Sequence, residues 1–484
     1  MSELRRSAVS GLRWSALGSL VVLAAHLLQL VVLARLLAPA DFGLMAMAMV
    51  VIALGSAYAD AGISNAIIHR QETSGRTLSS LYWLNLAAGA LLFVLVVAGA
   101  PLVARLFATP ALGPLLQVSA TVFLLLPIGQ QFQILLQRDH DFRPLALIEA
   151  AAALVAALAA IGAGLAGAGV WALVIAQLVN AAVRSGGLAA IGWRRYRPQR
   201  HFARGDLRGY VGFGLFQVGE RSITFLSGYL DQLLLGLLLG PQVLGYYRLA
   251  WQLIIQPVNR INPIVTRVAY PLLARMQEDT PRLRRAWLLI QRLLTTVNAP
   301  LLLGLAAVAP VLVPTLFGAG WQPAVPLVQL LALYALLLSL GTPLGPLLLA
   351  RGRADWGFYA NLAALALHLP ALWLGARLGG ATGLALAVVL LQALYTLASY
   401  RLLVRRLLGA CGRAWLAGIA PAVLIAGAMA VLVRLSLGLL GDGPAALCAA
   451  IAFGVVCYAG LLLALRREDL AQARLLWQRR AASS

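Results

Sequence analysis

The chain has 484 residues, 61% of them hydrophobic and only 11% charged, with a formal net charge of +22. A soluble domain carries roughly a quarter charged residues and under half apolar ones, so this composition excludes a soluble globule. The charge alone suggests a nucleic-acid binder, but apolar runs of more than about 18 residues recur, each long enough to span a bilayer; no nucleic-acid partner is expected.

The predicted helices, in chain order, cover 12–37, 42–68, 78–107, 112–137, 144–166, 168–192, 210–239, 242–273, 286–317, 323–350, 355–378, 380–407, 413–438 and 445–466. They describe an all-α, polytopic membrane protein with about fourteen transmembrane helices. Arg5, Arg6 and Arg13 precede an apolar run over 14–37. That run is longer than the ~7–15-residue core of a cleaved signal, so it reads as a retained first helix.

Arginine placement supplies the topology, because loops rich in Lys and Arg stay on the cytoplasmic side. All 38 basic residues are Arg. With the N-terminus inside, the inner segments hold 28 of them against 10 acids, or +18. The outer turns near 40, 167, 241 and 319 hold none. Both termini are therefore expected in the cytoplasm. Most of the net charge is an orientation signal.

An internal repeat organises the chain. The turn after the first helix reads LLAPADFG (36–43) and the turn after the seventh reads LLGPQVLG (238–245), an offset of 202. Leu106, Phe107 and PLLQ (114–117) recur as Leu316, Phe317 and PLVQ (326–329). Gly169 and Gln177 recur as Gly383 and Gln392. Six helices per repeat is an even number, so the halves enter the membrane the same way round, related by a pseudo-two-fold along its normal. The expected division is a six-helix bundle at 1–192, a basic cytoplasmic linker at 193–209, a second bundle at 210–407, and two extra helices with a basic tail at 408–484.

Chemistry is constrained as much by absence. Without Lys there is no phosphate-loop lysine, Schiff base or Ser-Lys pair. The five His are scattered, and the three Cys lack metal spacing. No metal, cofactor or catalytic constellation is expected. Cys448 and Cys457 read as ordinary buried apolar residues.

Charged residues at a membrane helix centre cost about 2.5–3.5 kcal/mol on insertion scales and face a cavity or a partner. The 210–239 helix carries Glu220, Arg221 and Asp231; the 242–273 helix carries Arg248, Asn259, Arg260, Asn262 and Arg267. Rise per residue sets Asp231 and Arg248 at equal depth for a salt bridge across the hairpin, and sets Glu220 and Arg260 near mid-membrane. Arg221, Arg260 and Arg267 then compete between a water-filled cavity and pairing to backbone carbonyls. In the first half the polar set is His26, Gln29, Asp60 and Glu149. Asp60 is the candidate for ion coupling; His26 reads as a packing residue or a proton relay. Pro257, Pro263 and Pro271 share a helix with the buried Arg and suggest hinges.

The segments GLRWSALGSL (11–20), VVLARLLAPADFGLMAMA (31–48), DAGISNAIIHRQ (60–71), LSSLYWLNLAAG (78–89) and GYLDQLLLGLLLGPQVLGYYRLAWQL (228–253) resemble the multidrug/oligosaccharidyl-lipid/polysaccharide exporter superfamily. The resemblance is sharpest to its Wzx-like polysaccharide flippases of the colanic-acid and teichuronic-acid exporter type. It implies a V-shaped pair of bundles in the bacterial inner membrane. Such a carrier moves polyprenyl-pyrophosphate-linked glycan between leaflets by alternating access, for surface polysaccharide synthesis. Arginine suits pyrophosphate because its fork donates in bidentate fashion. On this resemblance Arg221, Arg260, Arg267 and Arg13 are candidate pyrophosphate contacts. Gln29, Gln217, Asn259, Asn262, Tyr246, Tyr247 and Trp251 offer amide and aromatic surfaces to sugars. Glu220, Asp231, Arg248, His26 and Asp60 are candidates for gating or for coupling to H+ or Na+. Membrane lipid and polymerase machinery are the implied partners, and a monomer is the expected working unit. Related lipid II flippases carry extra Arg in the first helix, where this chain has His26 and Gln29. That departure favours a polysaccharide repeat unit as cargo. Three alternatives stay open: a cation-coupled multidrug exporter of the same superfamily, a major-facilitator transporter, and a membrane glycosyltransferase or polymerase.

Overall fold

The computed structural model describes residues 2–59, 74–139, 141–203, 211–441 and 443–465, without the side chains at 2–16, 57, 59, 211–227, 264, 267–268, 354 and 465. Among the described residues there is helix and no strand. Twelve stretches of the described residues are long and apolar enough to cross a membrane. The chain is an all-α polytopic membrane protein. Large side chains cover the outside, with Leu102, Leu378 and Leu439 all more than two-thirds exposed. Such a surface suits hydrocarbon as solvent.

The chain forms two compact units, Met1–Gly245 and Tyr246–Ser484. The first contains α1 (Ser2–Leu36), α2 (Pro39–Ala59), α3 (Gly75–Leu106), α4 (Leu112–Ser119), α5 (Val122–Arg138), α6 (Phe142–Leu165) and α7 (Trp171–Tyr196), then the start of α8 (Val211–Ala274). Gly240 interrupts α8 with φ 82° and ψ −179°. That left-handed φ is open to glycine at little cost, and it falls where the sequence places the turn between two helices.

The buried face of α6 is made of Ala152, Ala153, Ala156, Ala157, Ala160 and Gly164. Small side chains at three- and four-residue spacing let backbones approach, which is how helices associate where lipid is as apolar as leucine. Ala153 and Ala157 pack on Ala25 of α1. The basic segment after α7 folds back on this unit. Gln199 N and Ala203 N donate to the hydroxyls of Ser79 and Ser80, and Trp83 Nε1 donates to the Gln199 carbonyl. These bonds keep 199–203 with the first unit, and the division between units comes at Gly245, beyond the basic segment.

The two repeated turns meet inside the first unit. A Cβ added to Gly43 would overlap the carbonyl oxygen of Pro241, and one added to Gly245 would overlap that of Pro39. The pairs correspond under the sequence offset of 202. A reciprocal contact of this form is what a local two-fold axis produces.

The second unit continues with α9 (Thr280–Phe317), a 3-10 turn (Ala319–Ala324), α10 (Val325–Gly341), α11 (Leu344–Ala350) and α12 (Ala354–Ser399). A π-turn at Tyr400–Val404, then α13 (Arg405–Leu408), α14 (Gly412–Leu440) and α15 (Pro444–Leu465), complete it. The backbone of α12 leaves helical geometry at Gly379 and Gly380. The predicted 323–350 helix is broken at Thr342 and Pro343, where proline removes a backbone donor. One apolar core joins Leu273, Trp287, Leu294, Leu347, Leu408 and Cys411 at the basic end. Arg351 ties that end together: Nη1 donates to the Gln277 carbonyl at 2.6 Å, and Nη2 to Thr280 Oγ1 at 2.6 Å and the Leu407 carbonyl at 3.1 Å. Cys411 is buried as part of this core, whereas Cys448 is exposed and Cys457 half-buried. Cys448 therefore corrects the expectation of burial: it lies on the apolar outer surface, where a thiol behaves as a small hydrophobe.

Candidate functional site

The first unit holds a pocket of about 200 Å³ bounded by α2, α5 and α7. Close approach of α5 and α7 builds it. A Cβ on Gly129 would lie 2.7 Å from Ser185 Cα, so only glycine lets the two backbones come this near. Gln130, Gln133, Arg184, Ser185 and Ser56 supply the polar lining, and Phe123, Leu126, Pro127 and Leu188 the apolar wall.

Arg184 is thirteen residues into α7, about 20 Å along its axis, within the span. Its Nη2 donates to Gln133 Oε1 at 2.9 Å and lies 3.6 Å from Glu149 Oε1 on α6. The Arg184 side chain is about one-third exposed and that of Glu149 nearly half, so the pair is open to a ligand. Five N–H donors on one planar group leave several unspent. Neutral amides and hydroxyls around a cation suit phosphate oxygens and sugar hydroxyls. Arg184 is not among the residues the sequence singles out. The signal was there: it is the lone Arg of the predicted 168–192 helix, ten residues inside Arg194.

The predicted site residues of α8 separate by face. Asn259 and Arg260 are exposed, and among the described residues neither has a hydrogen bond or ion pair. Asn262 is buried: its Nδ2 donates to Thr342 Oγ1 at 3.1 Å and its Oδ1 accepts from Asn298 Nδ2 at 2.8 Å. Gln291 Nε2 donates to the Leu340 carbonyl at 2.7 Å. These bonds lock α8, α9 and α10 together in the second unit. Tyr247 is also fully buried, its ring 5.9 Å from Trp251, which lies 5.9 Å from Tyr334. Tyr247 is thus a packing ring, while Tyr246 and Trp251 keep part of their surfaces open.

Asp231 is buried, and its Oδ1 accepts from the Gln232 N–H at 2.8 Å. Arg248 and Gln29 are half-buried and His26 is exposed. Asp60 lies outside the described residues, as do the side chains of Arg13, Gln217, Glu220, Arg221 and Arg267.

A polysaccharide biosynthesis protein family matches residues 32–326 of the chain. The lipopolysaccharide biosynthesis protein WzxC of Escherichia coli (strain K12) is 34% identical over 418 residues, 86% of this chain and 84% of that protein. The chain belongs to this polysaccharide biosynthesis family. A second relative, the teichuronic acid biosynthesis protein TuaB of Bacillus subtilis (strain 168), is 32% identical over 372 residues, 76% of each chain. In fold, the family member described here is similar to the lipid II flippase MurJ in its inward closed conformation. The TM-score is 0.76 at 14% identity, over 94% of this chain and all of that one.

Proposed function

We propose that the chain is a flippase carrying polyprenyl-pyrophosphate-linked oligosaccharide repeat units across the bacterial inner membrane for surface polysaccharide synthesis. Arg184 carries this reading: a partly exposed guanidinium among neutral amides and hydroxyls, held within the span. Relatives named for polysaccharide synthesis over most of the chain, and the fold of a lipid-substrate flippase, support it. A carrier of organic cations calls for acidic groups in its pocket. Here Glu149, the carboxylate beside the pocket, is paired to Arg184.

In this proposal two of the twelve apolar stretches, those broken at Gly240 and Gly380, cross the membrane twice, giving fourteen spans with both termini cytoplasmic. The paired turns at Pro39–Gly43 and Pro241–Gly245 mark the pseudo-two-fold between repeats. Arg260 and Asn259, with Arg221, Arg267, Arg13 and Gln29, supply further contacts to phosphate or sugar. Asn262 holds the wall behind them. Asp60, Glu220, Asp231, Arg248 and His26 serve gating or coupling to H+ or Na+.

The test is reconstitution of the full chain in liposomes containing a fluorescent polyprenyl-pyrophosphate oligosaccharide, following movement between leaflets by quencher access. Transport is expected, reduced about tenfold or more by Arg184→Ala, the loss of one or two charge-assisted bonds. Ion-driven efflux of a cationic dye with no movement of the glycolipid would overturn the reading.

A further inference from the structure

The second unit carries an apolar groove of about 440 Å³ along α12, between its two segments on either side of the Gly379–Gly380 break. Ala360, Ala363, Ala364 and Leu367 form one wall, and Leu391, Leu394, Ala398 and Leu402 the other. The groove follows α12 from Trp356 to His368, about 18 Å of axis, close to half of a hydrocarbon core ~30 Å thick. It is one leaflet deep. Tyr395 Oη donates to Asn361 Oδ1 at 3.2 Å and His368 Nδ1 bonds the Ala364 carbonyl at 2.8 Å, so those polar groups of the wall are already engaged.

One end of the groove is charged. The guanidinium carbons of Arg353 and Arg406 stand 5.0 and 6.0 Å from the centroid of the same Trp356 ring. Two cations beside one ring repel each other. Among the described residues neither has a carboxylate within ion-pair distance, and the exposed Asp355 beside them pairs with no cation. Arg401 and Arg405 add to the same charge. One described carboxylate, Asp355, stands against Arg353, Arg401, Arg405 and Arg406, so this end keeps a net positive charge.

We propose that this groove is a binding site for an anionic membrane phospholipid. The headgroup phosphate bridges Arg353 and Arg406 beside Trp356, and one acyl chain lies along Ala363 and Ala398. Basic pockets between helices are suited to anionic headgroups, and Trp sits at the headgroup level of membrane proteins. A groove one leaflet deep accommodates an acyl chain; a polyprenyl chain is far longer. The site is remote in sequence from Arg184, and its occupant is a resident lipid, separate from the cargo.

Native mass spectrometry of the full chain tests this, with phosphatidylglycerol or phosphatidylcholine added in equal amounts. One phosphatidylglycerol is expected to stay bound after the remaining lipids are stripped. Its retention should fall about fivefold for each of Arg353→Gln and Arg406→Gln. Ala363→Phe keeps both arginines and fills the groove; it too should lose the bound lipid, which separates the groove from general surface charge. A thermal melt in detergent checks that each variant is folded. Equal retention of the two lipids, unchanged retention in a folded variant carrying both Arg353→Gln and Arg406→Gln, or displacement of phosphatidylglycerol by equimolar polyprenyl pyrophosphate would each overturn the assignment.

Discussion

Arg184 Nη2 donates to Oε1 of Gln133 at 2.9 Å, joining the middle of α7 to α5 across the floor of the pocket in the first unit. The bond fixes which way the guanidinium points, while Glu149 at 3.6 Å offsets its charge. Gln133→Leu should therefore leave the protein folded and lower glycolipid transport several-fold. Arg184→Lys should rescue less than half, because an ammonium lacks the planar fork. Initial transport rates in liposomes at fixed glycolipid content measure both.

The network through Asn262, Asn298 and Thr342 predicts a stability effect. Asn262→Ala removes one partner and leaves the Asn298 amide buried without an acceptor, at a cost of about 1–3 kcal/mol. Asn262→Leu combined with Asn298→Leu should recover part of that loss, since apolar replacement of both partners leaves no stranded donor. Thermal unfolding of the two variants in one detergent decides it. A double variant less stable than Asn262→Ala would contradict the account.

Arg351 makes three bonds to two carbonyls and one hydroxyl at the basic end of the second unit. Arg351→Ala should cost about 2 kcal/mol or more. Lysine should restore only a fraction, because one ammonium does not span three acceptors on separate segments. The melting temperature in detergent, before any transport assay, provides the measurement.

Cys411 lies outside the spans and is buried against Tyr400. Burial pushes its thiol up from the ordinary cysteine range, and the hydrogen bond to Tyr400 offsets only part of that. The reactive thiolate is thus scarcer at neutral pH than for a free cysteine. Alkylation of a variant retaining only Cys411 should be slow at pH 7 and accelerate above the usual thiol pKa. Fast labelling at pH 7 in folded protein would show the thiol open to solvent.

The fold was largely legible because membrane helices announce themselves by length and apolarity. The turns at Gly240 and Gly379–Gly380 fall where the predicted helices end, since glycine marks the break in sequence and in φ alike. Pro343 likewise marks the break at Thr342–Pro343, although the residues on both sides continue an apolar run. Site residues were harder. Asn262 is two positions beyond Arg260, about 200° round the helix, so helical geometry already set them on opposite faces. Polarity alone grouped them. Arg184 escaped notice because its partners, Gln133 and Glu149, are 51 and 35 residues away in sequence.

Pro39 meets Gly245 as Pro241 meets Gly43, so each turn offers the other the same two surfaces. In the proposed repeat, a single six-helix half bearing one such turn could make the same contact with a copy of itself. Tandem duplication of an ancestral gene would then have converted a homodimer interface into a connection within one polypeptide. Because each glycine faces a backbone carbonyl that any residue would supply, the constraint since then has fallen on the two glycines.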